Sequence, residues 1–476
     1  MTDSLDPEDW QGFRKRAHAM LDAALDRMET YREGRVWNPP EDTLKVFHAP
    51  DQKASGAEAT DAALQELFSY GVGNTHPRFF GWVHGAGTPA NLMADITAAT
   101  LNANCGGRNH AAIELEKRLI DWCLAQFNFP KSGSGLITTG TSMATVIALK
   151  AARDHALDFE SRNQGLKDLP KLTGYTSEGA HNCIARAFDL LGLGSIALRK
   201  VPIDQNGQMD TNALRAAIHD DRKAGYTPFL ICATAGTVNT GSIDPLDEAG
   251  QIARAEGIWF HVDAAFAAAL QFSDAHRGKL AGIEKAHSLA FDFHKWMQVN
   301  YDAGCVLIRN GDSHRRSFSD RPDYLSPMTR GLAAGNPWPV EYGPELSRGF
   351  RALKVWAQLH EFGTEELAAV VERNISQAAY LAERVRKAPE LELLSYAGLN
   401  ICCFRFDASG KTGQEADAMT EEIVTRLQEE GTAAPSTTRI DGKLAIRVNI
   451  TNHRTQMSDI DVLVDGVLEI GRELQG

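Results

Sequence analysis

Apolar side chains recur at helical spacing near the start of the chain. Between residues 8 and 32 they follow one another every three or four residues, with charged residues between them, at Trp10, Phe13, Ala17, Met20, Leu21, Ala24, Leu25, Met28 and Tyr31. This spacing predicts an amphipathic helix, whose apolar face needs a cover from its own domain or from a second subunit. Residues 59–70 and 89–128 also favour helices, with an interruption at 104–110.

From residue 136 to about 310, short apolar runs alternate with helical stretches. The runs are 136–138, 173–175, 229–233, 259–262, 288–291 and 304–308. The helical candidates between them are 142–158, 181–192, 210–224, 245–256 and 264–272. Alternation of this kind, with nearly continuous apolar strands, predicts an α/β fold with a mostly parallel sheet and helices on both faces.

The pattern changes again after residue 308. Residues 309–344 are rich in Gly, Pro, Ser and Arg and have little periodicity, which is typical of a mobile functional loop or a linker. Beyond them, helical stretches (346–362, 364–387, 414–430 and 457–474) and strand-like runs (400–406 and 444–448) predict a small α+β domain. The predicted parts are an N-terminal helical segment at 1–84, a large domain at 85–345 that includes loop 309–344, and a small domain at 346–476.

The composition of the chain limits the kinds of molecule that the protein is expected to bind. The formal net charge of −13 over 476 residues provides no basic surface for nucleic acid or an anionic membrane. The seven cysteines show neither paired CxxC spacing nor a cluster with histidines, so no metal site is predicted and reduced thiols are expected. The chain lacks a signal-peptide pattern and a bilayer-length apolar run, which favours a cytoplasmic protein acting on small molecules.

Lys295 stands in an otherwise apolar stretch, Ser288-Leu-Ala-Phe-Asp-Phe-His-Lys-Trp296. A buried ammonium is costly, so the simplest interpretation is a strand-end lysine that reaches solvent. A second interpretation is an amine consumed in a covalent bond, since lysines form Schiff bases with carbonyl substrates and with pyridoxal phosphate (PLP), and burial lowers the lysine pKa in a way that helps.

Further unusual residues follow neighbouring strands of the predicted sheet, where ligands bind in such folds. Thr138-Thr-Gly-Thr-Ser-Met-Ala144 opens a helix, and its small residues either cap that helix or offer N–H groups to a phosphate. Asp263 ends an apolar strand 32 residues before Lys295. A buried carboxylate, a lysine and a phosphate cradle are the parts that PLP needs. An ion pair of the carboxylate with the ring nitrogen at ~4 Å and a dielectric of ~20 contributes roughly 4 kcal/mol.

Residues 75–88 are both aromatic and glycine-rich, Thr-His-Pro-Arg-Phe-Phe-Gly-Trp-Val-His-Gly-Ala-Gly-Thr. Such a stretch favours either the lining of a concave site or a corner of the core. The first interpretation predicts substrate contacts from Phe80, Trp82 and His84.

Four co-linear motifs resemble one known family. They are Tyr175-Thr-Ser-Glu-Gly-Ala-His181, Trp259-Phe-His-Val-Asp-Ala-Ala-Phe266, His294-Lys-Trp-Met-Gln-Val-Asn-Tyr-Asp302 and Gly349-Phe-Arg-Ala-Leu-Lys-Val-Trp356. With them, the chain resembles the group II PLP-dependent decarboxylases of the aromatic-L-amino-acid decarboxylase kind from residue 76 to the C-terminal Arg447-Val-Asn segment. The resemblance implies fold type I, with a seven-stranded type of sheet, and a homodimer in which the N-terminal segment packs on the partner.

The resemblance also implies roles for individual residues. Lys295 matches the Schiff-base lysine, Asp263 the partner of the pyridinium nitrogen, and His181 the histidine that stacks on the cofactor and faces the substrate carboxylate. Matches on the cofactor side are Ala265 on the other ring face, Thr234 near the phenolic oxygen, and Thr141, Ser142 and His294 near the phosphate. Tyr324 matches the tyrosine of the mobile loop that returns a proton to the substrate carbon.

Two segments depart from the family pattern. Asp292-Phe293 stands where Asn-Pro is frequent, and an acid there is expected to turn away from the phosphate or to pair with a cation. The segment Trp82-Val-His-Gly85 and residues 104–110 differ from the animal enzymes, so the identity of the substrate stays open.

Decarboxylation of an aromatic L-amino acid to its amine is the leading hypothesis for the reaction. Arg78 and Arg108 also allow acidic substrates of the glutamate or cysteine sulfinate type. Two further hypotheses are an aldehyde-forming oxidative decarboxylase and an inactive PLP-fold binding protein.

Overall fold

The computed structural model describes residues 4–40, 54–320 and 328–475. Within them the strands are β1 Phe79–Phe80, β2 Ser134–Thr138, β3 Leu172–Ser177, β4 Leu198–Val201, β5 Thr227–Thr234, β6 Trp259–Asp263, β7 Ser288–Asp292, β8 Gly304–Ile308, β9 Leu391–Ser395, β10 Ile401–Phe406, β11 Ala434–Ile440 and β12 Lys443–Asn449. They form two sheets, one in the middle of the chain and one that is mainly C-terminal.

The α-helices connect and cover these strands. They are α1 Trp10–Glu29, α2 Ala57–Glu66, α3 Ala90–Leu101, α4 Ala111–Gln126, α5 Thr141–Ala156, α6 Ser161–Gln164, α7 Cys183–Leu190, α8 Thr211–Lys223, α9 Leu246–Glu256, α10 Gly311–Phe318, α11 Arg351–Lys387, α12 Gly413–Glu429 and α13 Met457–Gln475. No helix of the described ranges is long and apolar enough to cross a bilayer.

The larger sheet has seven strands in the order β2-β8-β7-β6-β5-β3-β4. Neighbours from β7 to β4 run parallel, and β8 runs antiparallel to both β7 and β2. Alternate residues of one strand enter different cores, since Ile231 faces one apolar cluster while Leu230 and Cys232 face another. Both faces of the sheet are therefore buried, which confirms the predicted α/β architecture.

The smaller sheet has the order β1-β11-β12-β10-β9. Its first strand comes from the N-terminal part of the chain, where Phe79 and Phe80 pair in parallel with Ala434 and Pro435 of β11. Helices α11, α12 and α13 pack against this sheet around a second core. The break predicted between 362 and 364 lies inside α11, where Gly363 takes non-helical angles of φ 67° and ψ −177°.

Several elements differ from the sequence prediction. Residues 309–344, for which the composition predicts no regular structure, contain α10 and a 3-10 turn at Pro339–Glu341. The helix expected at 264–272 is a 3-10 helix at Ala267–Phe272. Strands β4, β9 and β11 escaped prediction because they lie at or near the sheet edges, where charged and hydroxyl side chains replace the continuous apolar pattern.

Candidate active site

Three polar residues end adjacent parallel strands at one edge of the large sheet. Thr234 ends β5, Asp263 ends β6 and Asp292 ends β7, and Thr234 is the register partner of Asp263. The backbone of Ala265 connects the two acids, because its N–H donates to Asp263 Oδ1 (3.1 Å) and its C=O accepts from the Asp292 N–H (3.0 Å). The sheet thus brings together three residues that are far apart in sequence.

Asp263 is a buried carboxylate with few donors. Its side chain is enclosed, with the residue 1% exposed, and Oδ2 accepts only a weak bond from the Cys183 thiol at 3.5 Å. In the described part of the chain it has no ion-pair partner within 4.0 Å. Burial raises the pKa of Asp263, and the positive charges of Lys295 and His181 oppose that rise. Such a carboxylate can accept a charged N–H from a ligand.

Lys295 follows β7 and points its amine back at the end of that strand. Its Nζ lies 2.9 Å from Asp292 Oδ2. Burial by itself lowers the pKa of Lys295, but the attraction of Asp292 outweighs it and raises the pKa above the ordinary value. At an effective dielectric of ~20 the Coulomb attraction at this distance is roughly 6 kcal/mol. The expectation of a lowered lysine pKa is wrong for the cofactor-free chain, because the sequence did not reveal this ion pair.

The first turn of α5 approaches the same carboxylate. The N–H of Thr141 donates to Asp292 Oδ1 at 2.6 Å, so the side chain of Asp292 does not turn away from the helix. Its pairing with a cation, described above, is as expected. Gly140 precedes the helix and gives it no side-chain cap. The Thr141 hydroxyl is buried and has no hydrogen-bond partner among the described residues, while Ser142 is exposed. The hydroxyls therefore do not serve as caps, and the helix N–H groups beyond that of Thr141 are available to an anion.

Two glycines let the chain approach this point closely. A Cβ at Gly304 would lie 2.4 Å from Gly140 Cα and 2.7 Å from Asp292 Oδ1. A Cβ at Gly140 would lie 3.3 Å from His294 Cε1, which places His294 beside the start of α5. The ring of His294 is held by the Ala303 N–H, which donates to Nδ1 at 3.0 Å.

His181 and Thr234 border the same cleft. His181 is exposed, and its ring is fixed by the Cys183 N–H, which donates to Nδ1 at 3.2 Å. The N–H of Thr234 donates to Asp244 Oδ2 at 2.7 Å, whereas its hydroxyl is buried and unpaired within the described ranges. The His181 ring is therefore accessible from solvent, and the Thr234 hydroxyl is a buried group that requires a polar partner.

A row of rings leads outward from the His-Lys pair. The ring centroids of His294 and Tyr301 are 4.3 Å apart, those of Tyr301 and His84 5.8 Å, and those of His84 and Trp82 6.0 Å. Gly85 fixes this segment against the pair, because a Cβ there would lie 2.3 Å from the carbonyl oxygens of both His294 and Lys295. We call Trp82, His84, Tyr301 and His294 the aromatic row.

Phe80 does not belong to this row. It is fully buried in the core of the small domain, so its expected contact with substrate is corrected. Within β1, alternate residues turn to opposite faces of the sheet, so Phe79 packs against the rings of Trp82 and His84 while Phe80 enters the core. Arg108, expected near an acidic substrate, packs over the Trp338 ring at 5.1 Å. Tyr324 lies outside the described residues.

Three contributors were missed at the sequence level: Cys183 against Asp263, Tyr301 against His294, and Asp244 against Thr234. Their only signal was proximity to motif residues. Cys183 follows His181 by two positions and Tyr301 follows Lys295 by six. Hydrogen bonds across strands and stacked rings depend on the fold and leave no pattern in the sequence.

The donor set fits PLP. Asp263 offers a buried carboxylate that lacks a cation, Lys295 offers an amine, and the first turn of α5 offers the N–H groups that follow Thr141. The unpaired hydroxyls of Thr141 and Thr234 add buried groups that require a polar partner. An aromatic, anionic aldehyde meets each of these requirements.

Comparisons with known proteins agree with this geometry. Residues 40–407 match the family model described as "Pyridoxal-dependent decarboxylase conserved domain". An aromatic-L-amino-acid decarboxylase of Bacillus atrophaeus is 31% identical over 388 residues, covering 81% of this chain and 79% of the relative. A phenylacetaldehyde synthase of Arabidopsis thaliana is 28% identical over 94% of this chain and 93% of its own. The crystal structure of Catharanthus roseus tryptophan decarboxylase in complex with L-tryptophan matches with a TM-score of 0.86 at 25% identity, over 99% of this chain and 100% of that one.

Proposed function

The chain belongs to the pyridoxal-dependent decarboxylase family, and on that basis we propose that it converts an aromatic L-amino acid into its amine and CO2. Its class is that of a PLP-dependent amino-acid carboxy-lyase. The aromatic row is the observation that carries the choice of substrate, because it places aromatic rings beside His294, the neighbour of the lysine. Aromatic side chains favour aromatic ligands through area burial and edge or offset contacts.

PLP, when bound, supplies an aldehyde carbon for amines and an electron sink for the bond that breaks. In the proposed arrangement Lys295 would bind the aldehyde carbon and Asp263 would accept a hydrogen bond from the protonated ring nitrogen. Thr234 would donate to the phenolic oxygen, and Ala265 would pack on one face of the ring. Thr141, Ser142 and His294 would hold the phosphate at the start of α5, where helix N–H groups attract anions.

His181 and Tyr324 act on the substrate in this proposal. His181 orients the carboxylate that leaves as CO2, since its ring is exposed in the cleft and fixed through Nδ1. Tyr324 returns the proton to the substrate carbon; this role comes from the resemblance and stays a prediction. Trp82 and His84 contact the substrate side chain. A row of rings gives an acidic side chain no cation, which argues against the glutamate and cysteine sulfinate type of substrate.

We also propose that the protein forms a homodimer, in which a second copy covers the exposed apolar faces of the N-terminal helices. Helix α1 buries no residue on its own chain and leaves Trp10, Phe13 and Leu25 exposed. Helix α3 likewise exposes Met93, Ile96 and Leu101. Apolar surface of this extent favours association with a second copy. Light scattering after size exclusion should give a dimer, and a wild-type monomer would contradict the proposal. A cytoplasmic location stays a prediction.

Mass spectrometry of the products tests the function. The PLP-loaded protein is incubated with a mixture of L-amino acids that includes tryptophan, tyrosine, dopa, 5-hydroxytryptophan, histidine, glutamate and cysteine sulfinate. Amines from the aromatic members, lost in Lys295→Ala and retained in the exposed-lysine control Lys279→Ala, are the expected result. Amines from glutamate or cysteine sulfinate alone would refute the aromatic assignment, and aldehydes would indicate the oxidative reaction.

A further inference from the structure

Asp292 occupies a place where the proposed function requires an anion to bind. Its Oδ1 accepts from the Thr141 N–H at 2.6 Å and its Oδ2 lies 2.9 Å from Lys295 Nζ. The residue is 3% exposed. One carboxylate thus uses both the first N–H of the α5 cradle and the amine of the reactive lysine.

The negative charge of Asp292 depends on Lys295. In the described part of the chain, the cationic groups within 4.0 Å are Lys295 and the His294 ring at 3.7 Å. Burial lowers the pKa of His294, so its ring is a weak source of positive charge at neutral pH. Burial alone raises the pKa of Asp292, but the nearby charges, Lys295 above all, bring it below the ordinary value.

Other titratable groups around Asp292 cannot replace the lysine. His181 and Tyr301 interact with it electrostatically from neighbouring segments, and Cys305 does so from β8. Partial desolvation of its ring lowers the pKa of His181, and burial raises the pKa of Tyr301 to about 12, so both groups favour their neutral forms at neutral pH. Burial also keeps the Cys305 thiol protonated.

Cofactor attachment weakens the compensation. When the lysine amine joins the aldehyde carbon, one water is expelled and the nitrogen keeps one of the three N–H donors of the ammonium together with its charge, so Lys295 itself neither takes up nor releases a proton. The phosphate brings up to two further negative charges to the same helix start. A buried carboxylate in this position is strongly disfavoured unless it becomes neutral.

We propose that Asp292 takes up a proton when PLP binds, so that the loaded site holds a neutral carboxylic acid beside the phosphate. A neutral acid has an O–H donor, whereas a carboxylate only accepts. This inference rests on the proposed function, specifically on Lys295 and the α5 cradle. It assigns to Asp292 a role in cofactor binding. An asparagine at this position would fill the same role without taking up a proton, because its side chain is always neutral.

Linkage fixes the sign of the pH dependence. The loaded enzyme binds more protons than the free protein between the low pKa of Asp292 in the free state and its higher pKa in the loaded state. PLP affinity therefore falls as pH rises through that window, by up to about tenfold per pH unit. Below the window both states are protonated, and above it both are ionised, so the contribution of Asp292 is constant there.

The test is the PLP dissociation constant measured by absorbance between about pH 6 and about pH 8.5 for wild type, Asp292→Asn and Asp302→Asn. Asp302 is a matched control, because it is a partly exposed acid of the next segment that pairs with Arg351. The logarithm of the PLP dissociation constant should rise with pH equally in wild type and Asp302→Asn. In Asp292→Asn this rise should be smaller, by up to about one logarithmic unit per pH unit. An unchanged slope in Asp292→Asn overturns the inference.

A second measurement keeps the inference testable where Asp292→Asn does not fold. Calorimetry of PLP binding to the wild type, in buffers that differ in ionisation enthalpy, should show net uptake of up to roughly one proton near neutral pH. Zero uptake or net release overturns the inference while leaving PLP binding intact. A wild-type protein that binds no PLP at any pH would instead refute the proposed function.

Discussion

Cys183 lies against Asp263, with its Sγ 3.5 Å from the carboxylate Oδ2. The thiol is buried, and burial together with the negative charge of Asp263 raises its pKa far above the ordinary value, so it remains an S–H donor. The acid that is proposed to face the cofactor nitrogen therefore accepts a hydrogen bond from a weak, neutral donor. A positive partner in that place would compete with the cofactor for the same carboxylate.

Removal of this donor should weaken cofactor binding without abolishing it. Cys183→Ala is expected to raise the PLP dissociation constant about three- to tenfold, because one weak hydrogen bond from a neutral thiol contributes about 1 kcal/mol. Cys183→Ser should keep the affinity near wild type, because its hydroxyl can donate. Cys402→Ala, which truncates a buried cysteine of the small-domain core, is the control. Equal affinity in Cys183→Ala and wild type would show that the contact has no role.

Gly85→Ala should disturb the site from the side of the aromatic row. The new Cβ would lie 2.3 Å from two carbonyl oxygens of the His294–Lys295 pair, so one of the two segments must move. We expect a loss of about 2 kcal/mol in unfolding free energy and at least a tenfold loss of decarboxylation. Thermal unfolding and turnover check both effects. Gly278→Ala, which meets no atom within 4 Å, should change neither, and a neutral Gly85→Ala would contradict the described packing.

Trp82→Ala separates substrate binding from stability. The side chain is 53% exposed, so its truncation should leave the unfolding temperature near that of wild type. Loss of an aromatic contact of about 1–2 kcal/mol should raise KM for an aromatic substrate about five- to thirtyfold, with kcat less affected. Trp82→Phe should recover most of the loss. Trp356→Ala, another exposed tryptophan, serves as the control, and a KM unchanged in Trp82→Ala would contradict the role of the row.

Tyr324→Phe tests the assignment of the proton donor. Loss of the phenol should lower the rate of amine formation by about a hundredfold, the usual scale for a general acid, while PLP binding is retained. Product analysis under single-turnover conditions provides the measurement. Unchanged amine formation would remove Tyr324 from the mechanism.

The sequence predicted most of what repeats along the chain. Strands buried on both faces, such as β5 and β6, carry uninterrupted apolar runs, and the residues that follow them, such as Asp263, fall where a parallel sheet places its ligands. Lys295, His181 and Thr234 were found in this way or by resemblance, and the structure places all three around Asp263. The glycine break inside α11 was also visible in the pattern.

What the sequence did not predict depends on contacts between distant segments. The pairing of Lys295 with Asp292 reverses the expected direction of the lysine pKa, and it arises from a turn after β7 that no periodicity describes. Phe80 and Trp82 are two residues apart in one aromatic stretch, yet the first is core and the second is half exposed. Phe80 belongs to β1, which pairs with β11 more than 350 residues away, whereas Trp82 lies beyond the end of the strand with a left-handed φ of 46°.

Peptide mapping after borohydride reduction of the PLP-loaded protein tests whether Lys295 carries the cofactor, on which the proposed reaction depends. Reduction makes the bond between a lysine amine and the cofactor carbon permanent, so mass spectrometry can locate it. We expect a single modified peptide that contains Lys295, and no modification in Lys295→Ala. Modification at another lysine, or PLP-dependent turnover with Lys295 unmodified, would contradict the proposed role of this residue.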